Sequence, residues 1–465
     1  MAEQPSGGGY TSDGPKADAF SMGAQEDGLP RILLIGDGSL ADATERALQA
    51  GGATVRRLND PSDPDIRDAI DERIARVVVV SRFDTVSLRA ALVVEHVRPG
   101  IPVLVTVFDR DVAAHLEDAV DNVRVLSMAD LVAPAFAGPC VDPELLSLTR
   151  GPSGIEDIKA IDGEPRLVPS EWSTPSGAQR LLARLDALVH PFDASSRILV
   201  AGVFGFLAVL TLETIVTMLA ARLSLVDALY TVAKVTVTVG PSPSADQGED
   251  WFKLFSAAAM LITLGFAAVL TAGLVNRLLD PRLTGIVGRS AVPRRDQVVV
   301  VGLGQVGLRL CLLLRDLGVP VISVEQNPHA KNVTRAKDLG LPVVIGSGGS
   351  QRQLRRLSIS RARALAAVTS DEVENIAIAV AARGVREDLH IALRAGDGDA
   401  TSETQSLFGV GVVRDVYRIA GTALAAVALG YDARTAFPYQ GTLYLVGDER
   451  DIEPFVPREV EVSAG

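Results

Sequence analysis

Two long apolar runs divide the chain, and short strand-like runs lie on either side of them. Ile198–Ala220 is apolar over ~23 residues, enough helix to cross ~30 Å of hydrocarbon. Phe255–Leu279 is about as long and carries no charge until Arg277. Ser224–Gly240, between them, is too short and too polar for a third span. It reads as a re-entrant helix and turn, because non-helical backbone at membrane depth must be buried in protein or line a watery path. Before the runs, strand patterns at Arg31–Ile35, Ala53–Leu58, Arg76–Val80, Pro102–Val107 and Val123–Leu126 alternate with helical stretches; after them the same alternation resumes at Gln297. Such alternation predicts parallel, doubly wound sheets.

The turns after the first strand of each set carry the candidate chemistry. In the second set, a strand runs into Gly302-Leu-Gly304-Gln-Val-Gly307 and an apolar helix. The spacing suits a tight turn, close approach to a pyrophosphate and helix–strand packing, with the helix N-terminus facing the phosphates. The next strand, Val319–Val324, ends at Glu325, where an acidic residue takes ribose hydroxyls. The first set has only Gly36, Gly38 and Ala41, and its second strand ends in Arg56-Arg57-Leu58-Asn59 with no acid. Val77–Ser81 with Asp84 mirrors Ala366–Ser370 with Asp371, so the two sets read as a diverged repeat. The first copy is shorter by about one βα unit and reads as an assembly partner.

The second set resembles the regulator-of-potassium-conductance (RCK) domain, also called the TrkA N-terminal domain, through Val343-Val-Ile-Gly346-Ser-Gly348, Ala364–Asn375 and Ile391-Ala-Leu-Arg394. That resemblance implies NAD or an adenine nucleotide (ATP or ADP) as cofactor, held by Gly302, Gly304, Gly307, Glu325, Thr369 and Arg394. The family has Gly-Asp where Gly346-Ser347 stands, so no calcium site is expected. The apolar centre resembles the pore of two-span potassium channels: Ala228-Leu229-Tyr230 is followed by Thr238-Val239-Gly240 at pore-helix spacing. The resemblance implies Thr238, Val239 and Gly240 as filter residues with potassium as the permeant ion. Gly265 matches the family's inner-helix hinge, although a membrane-helix glycine also serves as a packing contact. After Gly240 the chain departs to Pro241-Ser242-Pro243, which cannot repeat the family's outer filter because proline fixes φ and donates no hydrogen bond.

The fold class is thus α/β plus membrane α-helical, with two Rossmann-like RCK domains flanking a two-helix pore hairpin. The expected parts are a disordered tail over 1–29, a reduced first RCK-like domain over 30–150, and a linker with an interfacial helix over 151–196. A pore module follows over 197–280, then the nucleotide-binding RCK domain over 290–430 and a C-terminal tail over 431–465, in which Gly441–Val446 reads as an edge strand ahead of an acidic end. Ser176–His190 is the amphipathic interfacial stretch, or else a packed soluble helix. Arg180, Arg184 and Arg197 precede the first run, and Arg277, Arg282, Arg289, Arg294 and Arg295 follow the second. Positive flanks mark the cytoplasmic side, placing both soluble domains there, on a multi-pass protein of the cell (plasma) membrane.

Composition adds limits. With 465 residues the chain is too long for one core. Its mean hydropathy of +0.26 is largely due to the two runs. The net charge of −12 argues against a nucleic-acid partner. The 2 cysteines have no metal spacing and no disulfide framework, which suits a reducing compartment, and no apolar signal segment opens the chain. The histidines read as surface residues. Glu213 inside the first run either braces the pore helix, for instance against Lys234, or only bonds a neighbouring helix. Asp246, Glu249 and Asp250 either draw cations to a mouth or are simply solvated. The resemblance implies a homotetramer whose chains supply two RCK-like domains each to a gating ring. The expected function is a nucleotide-gated, potassium-channel-like cation channel. The alternative is a non-conducting, membrane-anchored nucleotide sensor that regulates a potassium transporter. A Rossmann dehydrogenase ranks third, for want of a hydride-acceptor pattern, and no enzyme activity is expected.

Overall fold

The computed structural model describes residues 29–151, 154–170, 194–238, 248–279, 295–396, 411–447 and 451–456. The tail over 1–28, the amphipathic stretch 176–190, and Val239 and Gly240 of the expected filter lie outside the described residues. The chain divides into two compact units, Met1–Pro175 with Pro293–Gly465, and Ser176–Val292.

The first unit holds two doubly wound halves. In the first half, β1 (Arg31–Gly36), α1 (Gly38–Ala50), β2 (Thr54–Leu58), α2 (Asp63–Ala69), β3 (Ile74–Val80), α3 (Asp84–Val97), β4 (Val103–Thr106), α4 (Arg110–Ala119) and β5 (Val123–Leu126) build a parallel sheet of order β2-β1-β3-β4-β5. Helix α5 (Met128–Val141) follows. The central strands β1, β3 and β4 carry the apolar runs, as both faces of a parallel sheet are covered there; Ile32, Leu33, Leu34, Val77 and Val78 are fully buried.

The second half runs β9 (Val298–Val301), α9 (Gln305–Asp316), β10 (Val321–Glu325), α10 (Lys331–Asp338), β11 (Val343–Ile345), α11 (Gln351–Arg356), β12 (Ala364–Ala367), α12 (Glu372–Arg383), β13 (His390–Ala395), β14 (Val412–Asp415) and α13 (Val416–Ala428). The sheet order is β11-β10-β9-β12-β13-β14. Overlaying the two orders leaves β11 without a counterpart. The first half therefore lacks the βα unit that carries the Gly346 loop.

The two halves exchange their last helices. Helix α5 of the first half packs on α9 of the second, and α13 of the second packs on α1 of the first. Both are apolar and almost entirely buried, which is why 14 and 13 residues of near-continuous hydrophobicity sit in a core and not in a membrane. Cross-ties accompany the exchange. Arg414 of β14 is buried and donates to the carbonyls of Ala135 (3.2 Å) and Leu146 (3.3 Å). Burial pulls its guanidinium down to about 10. At the α1–α13 crossing, a Cβ on Gly421 would meet Ala43 and Thr44 backbone at 2.8 Å. Gly421→Val is therefore expected to lower stability by about 1–3 kcal/mol through overpacking. Thermal unfolding of the full chain checks this, and an unchanged midpoint would contradict the crossing.

Two parts differ from the sequence reading. The expected linker over 151–196 begins instead with a three-stranded antiparallel sheet: β6 (Leu145–Gly151), β7 (Gly154–Ile161) and β8 (Glu164–Pro169). The expected C-terminal tail holds another: β15 (Thr435–Tyr439), β16 (Thr442–Val446) and β17 (Ile452–Pro454). Each contains a two-residue hairpin with both central residues at positive φ, Asp162-Gly163 (53°, 82°) and Gln440-Gly441 (47°, 83°). That geometry matches strand twist. Charges at Glu156, Asp157 and Lys159 made β7 look like a solvated linker, yet Glu156 and Asp157 are buried.

In the second unit, α6 (Ala194–Ala221), α7 (Leu225–Thr238) and α8 (Asp250–Leu279) follow one another. Ala201–Ala221 and Asp250–Ala272 are long and apolar enough to cross a membrane. Gly202 and Gly205 let α8 approach closely: a Cβ on Gly205 would meet the Phe266 ring at 2.4 Å. Ala228, Val232 and Val235 line the buried face of α7, while Leu229 and Tyr230 are exposed. Glu213 is buried beside Thr214 and Thr217, and Lys234 is exposed. Gly265 lies inside an unbroken helix with open space around its Cβ position.

Candidate functional site: a nucleotide cradle on the second half

At the carboxyl edge of the second sheet, the loops after β9, β10, β11, β12 and β13 enclose a cavity of about 340 Å³. A crevice there is where open α/β sheets bind ligands. Of the six cofactor residues expected from the sequence, Gly302, Gly304, Glu325, Thr369 and Arg394 line it. Gly307 does not; it supports the cradle from beneath, since a Cβ there would strike the Gly302 carbonyl at 1.9 Å. Gly302 has φ +98°, and a Cβ on it would press on the Thr369 backbone at 2.7 Å. Only glycine fits that turn without strain. Gly304 differs: its Cβ position meets nothing within 4 Å, so the space above it is open to a ligand.

Helix α9 begins at the loop, and Leu308 N–H is the first helical donor to reach a carbonyl, that of Gly304 at 3.0 Å. The N–H groups of Gln305, Val306 and Gly307 precede it. They form the polar end of a 12-residue helix, the arrangement that receives phosphate. Glu325 accepts from Leu303 N–H (2.9 Å) and from Asn327 N–H (3.0 Å). Its carboxylate thus holds the glycine loop to the end of β10 and retains acceptor capacity for hydroxyls.

The polar atoms of Thr369 turn toward the protein. Its N–H donates to Asn375 Oδ1 at 2.9 Å, and its hydroxyl lies 2.9 Å from the same oxygen and 3.0 Å from the Asp371 carbonyl. Asn375 in turn donates to the carbonyls of Thr369 (3.2 Å) and Arg394 (3.0 Å). Buried Asn375 therefore ties β12 to β13 beneath the cavity, a role the sequence reading missed. Arg394 lies over the Tyr417 ring at 5.6 Å and donates to its hydroxyl at 3.2 Å. Lys331 and Asn332, at the start of α10, also line the cavity and were missed; Asn332 donates to the Leu303 carbonyl at 3.1 Å. Their position, a few residues after the β10 acid, is the signal that could have found them. The donors, the open Gly304 and the carboxylate together fit a nucleotide.

One turn beyond Lys331 on the same helix, Arg335 pairs with Asp109 of the first half at 2.9 Å. Arg309 of α9 donates to the Phe108 carbonyl (3.0 Å) and pairs with Asp130 (3.2 Å). Burial pulls the Arg309 guanidinium down and Asp130 pushes it back up in part. Burial also pushes the Asp109 carboxyl up, but the Asp111 and Val112 N–H groups and Arg335 outweigh it and hold the group below its usual range. The helices that frame the cradle therefore also grip the first half. In the first half itself, Arg57 bonds the Gly36 carbonyl (3.2 Å) and pairs with Asp42 (2.5 Å) and Glu45 (3.0 Å), so the glycine turn there is tied to its own helix.

Residues 298–413 match the TrkA-N domain, which defines the class of the second half. The chain is similar to potassium channel protein 1 of Methanocaldococcus jannaschii, at 22% identity over 30% of this chain and 41% of that protein. It thus spans less than half the length of that relative. Among solved structures it is similar to the GsuK channel bound to NAD, 12% identical, with 88% of this chain and 65% of that one covered and a TM-score of 0.46. GsuK bound to ADP is 11% identical, with 88% and 71% covered and a TM-score of 0.43.

Proposed function

We propose that the chain is a potassium-channel-like cation channel gated by a nucleotide held in its TrkA-N half. The observation that carries this reading is the cradle: open space over Gly304, the free first turn of α9 and the Glu325 carboxylate converge on one cavity. An NAD, ATP or ADP molecule would place phosphates at Gly302, Gly304 and α9, and ribose hydroxyls at Glu325. Thr369 and Arg394 would close its far wall. The nucleotide acts as a signal and is not turned over, so the chain is no enzyme. The link from Lys331 through α10 to Arg335 and Asp109 gives a bound nucleotide a mechanical hold on the first half, which serves assembly.

The two apolar helices bracket the 14-residue helix Leu225–Thr238. This supports a pore module in the plasma membrane, with Thr238, Val239 and Gly240 as inner filter, potassium as permeant ion and Gly265 as hinge. Four chains would surround the pore, with both soluble halves cytoplasmic and forming the gating ring. A second reading, a non-conducting nucleotide-sensing regulator of a potassium transporter, is favoured by one feature, Pro241-Ser242-Pro243 in place of the outer filter.

Potassium flux into liposomes of the purified full chain, measured with and without NAD, ATP and ADP, tests the proposal. The expected result is flux that one of these nucleotides changes several-fold. Well-folded tetramers that bind nucleotide but pass no ion would establish the second reading instead.

A further inference from the structure

A second cavity lies within the first unit, away from the cradle, where α1, α13 and the C-terminal antiparallel sheet meet. Its volume is about 380 Å³, comparable to the cradle and within the range of small-molecule sites. Ala43 and Ala47 of α1 and Thr422 of α13 form a floor of small side chains, and Leu443 and Phe455 supply an apolar wall. Arg46 and Arg418 bring a guanidinium from each half.

The charge at this seam is unbalanced. Among the described residues, Arg46 donates only to the Asp42 carbonyl of its own helix, at 3.3 Å. Arg418 donates to the Gly441 carbonyl at 2.6 Å. Among the described residues, neither has a carboxylate within ion-pair distance. The one acid on the wall, Asp415, caps α13 by accepting from the N–H groups of Tyr417 (3.0 Å) and Arg418 (2.9 Å). A chain of net charge −12 repels anions at long range, so two guanidiniums without carboxylate partners on one pocket form a local exception. Guanidinium donors match carboxylate and phosphate oxygens, while the wall suits an apolar body.

We infer that this seam is a second ligand site, for a small organic anion with an aromatic or branched apolar body and one phosphate or carboxylate group. Arg46 and Arg418 hold the acidic group; Leu443 and Phe455 hold the body. Because its walls come from both halves and from the C-terminal sheet, an occupant pins α1 to α13 and reports on their crossing. The site is independent of the nucleotide cradle.

Phenyl phosphate is a suitable probe. Calorimetric titration of the full chain in detergent is expected to show saturable binding, with inorganic phosphate and phenol each at least tenfold weaker. Arg46→Gln, which alters an exposed side chain bonded within its own helix, is expected to weaken phenyl phosphate at least fivefold. Arg46→Lys should recover most of the loss, and Gly304→Asp should leave the affinity unchanged. Arg418→Gln provides a second test from the other half. Absence of saturable binding, equal affinity in both Gln variants and the parent, or loss of binding in Gly304→Asp would each overturn the assignment.

Discussion

Gly304→Asp is expected to abolish nucleotide binding while leaving the fold as stable as the parent or slightly more so. Gly304 has φ −70° and ψ −167°, values open to any L-residue, and a Cβ there meets nothing within 4 Å. It is also the N-cap of α9, where aspartate is among the best residues because its side chain accepts from the first-turn N–H groups. Those are the donors a phosphate needs. The substitution therefore satisfies them internally, adds a negative charge facing the phosphates and puts a side chain into the open space. A loss of at least a hundredfold in affinity, about 2.7 kcal/mol, is expected by calorimetry of the full chain with NAD and with ATP. Gly302→Ala offers the contrast. There φ is +98° and the Cβ would sit 2.7 Å from the Thr369 N, so stability and binding should fall together. If Gly304→Asp binds within threefold of the parent, the nucleotide does not sit over α9.

The same geometry explains what could be read from sequence. A buried parallel strand is a short apolar run, and the turn after β9 needs glycine at fixed spacing, so both halves and most of the cradle were visible as local pattern. The loss of one βα unit was legible as a shorter interval, and β11, the edge strand beside β10, has no counterpart in the first half. What escaped notice depends on distant partners. The reciprocal packing of α5 and α13 is invisible locally, because an apolar helix of that length does not say which half it covers. Asn375 bonds across β12 and β13, and nothing in Asp371–Asn375 announces the second of these. The sheet β6 to β8 was missed for a different reason. Its two-residue turn, Asp162-Gly163, was present in the sequence, but the charges along β7 resembled a solvated linker; at the C-terminal end the strand over 441–446 was legible as β16, and only its partners β15 and β17 were not. Gly307 packs against the Gly302 carbonyl and Val368, the helix–strand contact its place in the motif implies, and does not line the cavity.

Replacing Pro241-Ser242-Pro243 by Tyr-Gly-Asp is expected to raise potassium-over-sodium selectivity by at least tenfold. The reasoning rests on the proposed pore. In that pore Thr238-Val239-Gly240, following on α7, would supply the hydroxyl and carbonyl oxygens for the inner cages of a filter. Discrimination between two monovalent ions accumulates over successive cages in which carbonyls replace water. A proline locks φ near −65°, so the chain after Gly240 cannot turn further carbonyls to the axis in the same repeat. Each tenfold in selectivity needs about 1.4 kcal/mol, a fraction of what an added cage of oxygen ligands can supply. The parent should therefore pass sodium and potassium at similar rates, and the variant should favour potassium. Reversal potentials under a sodium-against-potassium gradient, recorded from liposome-reconstituted parent and variant, measure the difference. A parent already strongly selective for potassium would show that residues beyond Gly240 do not set selectivity. Silence from both proteins, in tetramers that still bind nucleotide at Gly304, would instead mean that α6 to α8 anchor a sensor and form no pore.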